Sequence, residues 1–251
     1  MANKELSIKV LTIFPDMFLP LLKWGIISRS IKEGILEINP MDLRDFTDDR
    51  HRTTDDYPYG GGSGLVMKAQ PFFRAYESIK KEGIEPYVIF TSPRGKLFDN
   101  DKAKELSEKK NLLFLCGRYE GVDERVMTIV DDELSIGDFV LSGGELATMV
   151  MIDSISRFVP GVVGDIQSVK RDSFYSEILD HSHYTRPKDV ENLKVPEVLL
   201  SGDHERIEIY RRKESLLKTI MRRPDLFMKH EFDQIDKKSL IEIIKENVED
   251  V

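Results

Sequence analysis

A single cysteine in 251 residues, Cys116, excludes an internal disulfide framework. It lies in the apolar run NLLFLCG, residues 111–117, where a buried thiol at a strand end is expected rather than a nucleophile, and a reducing cytoplasm fits. No apolar run approaches the roughly 18 residues that a membrane-spanning helix needs. The opening MANKELSIKVLTIF also lacks a signal-peptide core with its cleavage site, so a soluble cytoplasmic chain with no membrane partner is expected. Histidine is scarce, at five residues, and the HSH of residues 181–183 lacks further ligands at metal spacing, so it is expected to be structural or superficial.

What is present is ordinary globular material, 40% hydrophobic and 33% charged, enough for one large domain or two small ones. A net charge of −8 argues against a chain-wide nucleic-acid coat. The charge is uneven, however. Residues 204–230 carry eight Lys/Arg against four acids, which leaves one basic stretch in an acidic chain.

Five β-rich apolar runs recur, SIKVLTIF, ILEINPMDL, YVIFTS, NLLFLCG and DFVLSGG, with helix-like segments between most of them. That alternation predicts an α/β domain over residues 1–162, a mainly parallel sheet covered on both faces. GELATMVMIDSISRFVPG reads as a buried helix stopped by Pro160-Gly161. The polar, aperiodic texture near residues 163–176 predicts a linker. GDHERIEIYRRKESLLKTIMRR and KKSLIEIIKENVED, the latter with Asp236 or Ser239 as cap, predict a small C-terminal helical domain over residues 177–251.

Three glycine-bearing loops follow predicted strands: TSPRGK (91–96), CGRYEG (116–121) and SIGDFVLSGG (135–144). In an open parallel sheet, ligands lie outside the carboxyl ends of the strands, so the three loops can share one crevice. The Gly143-Gly144 pair belongs to neither G-x-G-x-x-G nor the phosphate-binding G-K-[ST] motif. Bare backbone there suits the edge of a planar ligand such as adenine. Tight turns alone would explain any one of these glycines; three such loops together point to a site. LRDFTDDRHRTTDDYPYGGGSG (43–64) is long and without period, and such loops tend to be functional. Its Arg44, Arg50, His51 and Arg52 are candidates to meet phosphates. By pattern alone, Arg157 at a helix end is expected to serve the helix dipole or a surface ion pair, and Asp172-Ser173 in the linker to cap a helix.

In order and spacing, TIFPDMF, DLRDFTDDRHRTTDDYPYGGGSGLVM, SPRGK, CGRYEGVDERV, SIGDFVLSGGELA, ISRFVPGVVG, DSF, HYTRP, VPEVLLSGDHERIEIYRRKESLLKT and RRPDL resemble the bacterial tRNA (guanine-N1)-methyltransferases of the TrmD type, in the SPOUT class. The resemblance covers nearly the whole chain. It implies a deep trefoil knot and an S-adenosylmethionine site made by Phe90, Thr91, Ser92 and Pro93, by Gly117, Tyr119, Glu120 and Gly121, and by Ser135, Ile136, Gly137, Phe139, Leu141, Gly143, Gly144 and Ala147. Phe139 and Ala147 stand where members of that family often carry tyrosine and proline. The implied reaction is methylation of N1 of guanosine 37 in tRNA, with Asp172 as general base, Arg157 at O6 and Glu120 near the methionine moiety and target base. The resemblance further implies a homodimer with interfacial sites, and a divalent ion, magnesium, for which the sequence offers no ligand cluster. A non-catalytic RNA-binding protein and a 2′-O-ribose methyltransferase are the two competing readings.

Overall fold

The computed structural model describes residues 5–164, 172–175 and 177–249. Of the expected linker, residues 165–171 and 176 lie outside the described residues. The chain divides into two compact units, Met1–Gly164 and Asp165–Val251.

The first unit is built on a five-stranded sheet of β1 (Leu6–Thr12), β2 (Leu36–Asp42), β5 (Tyr87–Leu97), β6 (Asn111–Cys116) and β7 (Asp132–Ser135), in the order β2-β1-β6-β5-β7. Every neighbouring pair is parallel. Strands with both faces covered must be apolar at successive positions, and alternate residues here enter two separate cores. Leu6, Ile8, Val10, Ile89, Leu112 and Phe114 face one side; Leu11, Ile13, Val88, Phe90, Leu113 and Leu115 face the other. Helices α2 (Gly25–Lys32), α4 (Asn100–Ser107) and α5 (Glu145–Ser156) supply Ile27, Ala103, Leu106, Met151, Ile152 and Ile155 to the first core. Helix α3 (Ala69–Lys81) supplies Ala69, Phe72, Ala75 and Ile79 to the second. A short α1 (Leu19–Lys23) precedes α2.

Two expectations need correction. The fifth apolar run, DFVLSGG, is not a strand: Phe139 is 53% and Val140 83% exposed, and the segment is loop. The fifth strand is the preceding Asp132–Ser135, whose sequence DELS hides it because an edge strand does not need an apolar run. The helix-like segment between the fourth and fifth apolar runs, DERVMTIV, is a 3-10 turn over Glu124–Ile129. The loop of residues 43–64 is partly ordered too. It opens with a 3-10 turn, Leu43–Phe46, and contains β3 (Asp55–Asp56), paired antiparallel to β4 (Val66–Met67).

The second unit holds α6 (His204–Arg222), α7 (Pro224–Phe227) and α8 (Gln234–Glu249). It also holds a small hairpin of β8 (Asp189–Val190) and β9 (Leu193–Lys194), turned by Glu191 and Asn192 at positive φ as a two-residue hairpin loop demands. Helix α8 starts earlier than expected. Asp233 Oδ1 accepts from the Asp236 amide at 2.8 Å, and Asp236 Oδ2 accepts from the Asp233 amide at 2.9 Å, a reciprocal cap. Ser239 instead turns its hydroxyl to the Ile209 carbonyl. Asp236 is fully buried and is bonded by Arg212 and by His230. Burial opposes its ionisation, but the bonds from Arg212, the Asp233 amide and His230 outweigh it and hold the carboxyl down at about 2. Arg212 is thus part of the fold of this unit.

Candidate active site

Strands β6, β5 and β7 lie side by side, so their carboxyl ends meet on one edge of the sheet. The first wall of the resulting cavity comes from β5 itself. Its register with β7 breaks between Thr91 and Lys96, so residues 92–95 bulge out before pairing resumes at Lys96 with Leu134 and Leu97 with Ser135. Residues 117–121 make the second wall. Tyr119 at φ 61° and Gly121 at φ 124° turn the chain, while the Glu120 amide bonds Leu65 O and the Met67 amide bonds Gly121 O. Residues 135–144 make the third, turning back until Gly143 bridges Arg118 and the Gly144 amide donates to Gly117 O at 2.9 Å.

The cavity is about 510 Å³, and all sixteen residues expected at the cofactor site, including Phe90, Pro93, Tyr119, Glu120, Ile136, Phe139, Leu141 and Ala147, line it. Its walls mix apolar faces, Phe90, Val122, Leu134 and Ile136, with polar ones, Thr91, Ser92, Ser135 and Glu120. Such a volume and mixture suit a small ligand with a flat apolar part, polar edges and a charged tail. At the Gly-Gly turn the backbone must come closest. A Cβ on Gly144 would overlap Thr91 Oγ1 and stand 3.1 Å from the Cys116 backbone; one on Gly143 would overlap the Arg118 side chain. Cys116, whose thiol meets Thr148 Oγ1 at 3.3 Å, is buried, and that burial pushes its thiol pKa up, so it is no nucleophile.

Beneath the turn sits a charge that the pattern of residues did not reveal. Glu145, the first residue of α5, is fully buried, accepts from Thr12 Oγ1 at 2.7 Å and pairs with Arg118 Nε at 3.0 Å. The Arg118 guanidinium also lies 4.6 Å from the Phe14 ring centroid. These contacts tie the end of β1, the second wall and the start of α5 into one support for the cavity floor. No sequence signal separates Glu145 from a solvated first-turn acid of the kind helix dipoles favour.

Residues 6–229 match the family described as tRNA (Guanine-1)-methyltransferase TrmD. The chain belongs to the TrmD family. A protein of Thermosipho africanus named tRNA (guanine-N(1)-)-methyltransferase is 60% identical over 98% of this chain and 100% of its own length. Proteins of the same name from Fervidobacterium nodosum, 55% identical over 98% of this chain and 99% of theirs, and Dictyoglomus turgidum, 52% over 98% and 100%, agree. Within this TrmD-family chain the remaining expected residues are distributed unevenly. Arg157 caps α5, half-buried, with its amide on Ser154 O, and it does not line the cavity. Asp172 and Ser173 belong to the second unit, where Asp172 O accepts from the Tyr175 amide. Two of the four residues expected to meet phosphates are bound internally: Arg44 to Ile13 O and Asp42, and Arg52 to Asp45. His51 is exposed, with its amide on Asp49. No helix among the described residues is long and apolar enough to cross a membrane.

Proposed function

We propose that this chain is a cytoplasmic tRNA (guanine-N1)-methyltransferase that moves the methyl of S-adenosylmethionine to N1 of guanosine 37. The convergence of sixteen expected residues on one cavity, in a chain of this family, carries the reading. When bound, S-adenosylmethionine supplies an electrophilic methyl on a sulfonium. The bare backbone at Gly143 and Gly144 lets the third wall pack tightly against Thr91, Cys116 and Arg118, which sets the shape of the cavity, and Glu120 brings a carboxylate that favours a neighbouring cation. N1 of guanine carries a proton that must leave before its lone pair can attack. Asp172 takes that proton, and Arg157 stabilises the negative charge gathering at O6 as it leaves. A carboxylate is a weak base for this proton, so the Arg157 contribution lies in the barrier. The cavity walls single out no ligand set for magnesium.

Two features of the first unit support the finer parts of the proposal. The return of residues 136–144 past the β6 loop, before α5 packs beside the sheet, is the kind of path a trefoil knot requires. Leu146 and Val150, 46% and 52% exposed, sit four residues apart on α5, beside buried Ala147 and Met151. That apolar stripe fits a second copy of the chain, in keeping with a homodimer whose sites combine the cavity of one protomer with Asp172 of the other.

Incubation with labelled S-adenosylmethionine and unmodified tRNA, followed by nucleoside mass spectrometry, tests the reaction. 1-Methylguanosine at position 37 is expected, whereas a ribose 2′-O-methyl or no methyl would overturn the proposal. For the cofactor site, calorimetry without tRNA should give saturable S-adenosylmethionine binding that Gly143→Trp abolishes; equal binding by a folded Gly143→Trp dimer would move the site elsewhere. For tRNA, exposed Arg206 and Arg211 on α6 are the residues to change, Arg212 being tied to Asp236. Their joint replacement by alanine should lower the salt slope of tRNA binding by about 1 per lost phosphate contact, with cofactor binding unchanged.

A further inference from the structure

Asp180, His181 and His183 take no part in the function argued above. One ligand atom from each, a carboxylate oxygen or a ring nitrogen, lies within 4.8 Å of the other two. Asp180 Oδ1 is 2.9 Å from His181 Nδ1, and Asp180 Oδ2 is 2.8 Å from His183 Nε2. Ligands about 2.1 Å from a divalent ion, at angles of about 90 to 110°, are about 3.0 to 3.4 Å apart; the two Asp180 edges, which end on different carboxylate oxygens, need to open by a few tenths of an ångström, and the remaining separations, all within 4.8 Å, need to close by up to about 1.5 Å.

A plain hydrogen bond accounts for the His183 contact. It does not account for His181. That side chain is nine-tenths buried, and its Nδ1 has no hydrogen-bond partner although Asp180 Oδ1 is within reach, because the oxygen lies off the direction in which the ring nitrogen bonds. A cation in front of Nδ1 would satisfy the nitrogen and bring both Asp180 and His183 into its shell.

The segment that carries the three residues is held from several sides within its own unit. The Leu179 amide bonds Thr219 Oγ1 at 2.9 Å, the Asp180 amide bonds Ser173 Oγ at 2.9 Å, and the Ser182 amide bonds Glu214 Oε2 at 3.1 Å. Ligands on a pre-ordered backbone lose little entropy when an ion arrives.

We propose that Asp180, His181 and His183 bind one divalent transition-metal ion of the zinc class. Two imidazoles and a carboxylate select zinc or its transition-metal neighbours over magnesium or calcium, which prefer all-oxygen shells. Three protein ligands leave a fourth position for water or another small donor. The ion also braces the segment bonded to Ser173, the neighbour of Asp172. The assignment stands apart from the methyltransferase reading, because metal binding needs neither tRNA nor S-adenosylmethionine.

The full-length, tag-free chain, stripped with a chelator, is titrated with Zn²⁺ by calorimetry and with Co²⁺ by visible absorption. One equivalent should bind, millimolar Mg²⁺ should not compete, and Co²⁺ should give the intense bands of a low-coordinate site with nitrogen ligands. Loss of an outer-shell partner costs metal affinity about 10- to 100-fold, so His183→Ala and Asp180→Ala, which remove direct ligands, should each cost more than about 100-fold. His204→Ala, outside the cluster, serves as the control and should bind as the parent does. Absence of saturable binding, or undiminished binding by His183→Ala, would overturn the assignment. Circular dichroism of each variant separates loss of the site from loss of the fold.

Discussion

Asp172→Asn should lower methyl transfer by about 10²- to 10⁴-fold, the usual cost of losing a general base, with S-adenosylmethionine and tRNA still bound. Asparagine keeps the shape of the side chain and cannot take the N1 proton. If Asp172 serves the cavity of the other protomer, a sharper result follows. Dimers mixed from Asp172→Asn chains and Gly143→Trp chains should regain one working site, formed by the intact cavity of the first and the intact Asp172 of the second. Mixed dimers as inactive as either parent would show that Asp172 acts within its own chain, or that Gly143→Trp damages the interface. Pairing each variant with wild-type chains separates the two outcomes, because interface damage would also silence the wild-type partner.

Glu145→Leu should strongly destabilise the first unit. It leaves Arg118, whose side chain is 16% exposed, without its carboxylate partner. Removing one member of a buried pair costs about 3 to 5 kcal/mol, which for a domain of this size lowers Tm by about 6 to 20 °C. The double replacement Glu145→Leu with Arg118→Met should recover part of that loss, since no unpaired charge remains. Urea unfolding of the two single variants and the double gives the coupling directly. A loss below about 1 kcal/mol for Glu145→Leu would mean that the pair does not support the Gly-Gly turn.

The parallel sheet was legible because its three inner strands, β1, β6 and β5, are apolar at successive positions, a pattern that burial on both faces imposes. Strand β7 was not, because Asp132 and Glu133 at the edge need no apolar neighbours, while the exposed Phe139 and Val140 imitated a strand. The three walls were found for a physical reason as well: glycine marks places where backbone must approach something closely, and it did so at Gly143 and Gly144. Glu145 and Arg118 carry no such mark, because an acid in a first helical turn and an arginine in a loop look the same in sequence whether solvated or buried. The Asp180 cluster is hidden for a similar reason. HSH lacks a distant partner at metal spacing, and the aspartate immediately before it completes the set.

The break in register within β5 gives the cavity two unlike sides. Residues 92–95 are clamped at both ends, by Thr91 against Leu134 and by Lys96 against Leu134, with the Phe98 amide bonded to Ser135 O just beyond. Residues 138–142 carry largely exposed side chains, and the Phe139 amide turns back only to Gly137 O. A ligand seated between them would meet a clamped wall on one side and, in residues 138–142, a less tied one on the other, so substitutions that stiffen or loosen residues 138–142 are expected to change the rate of product exchange.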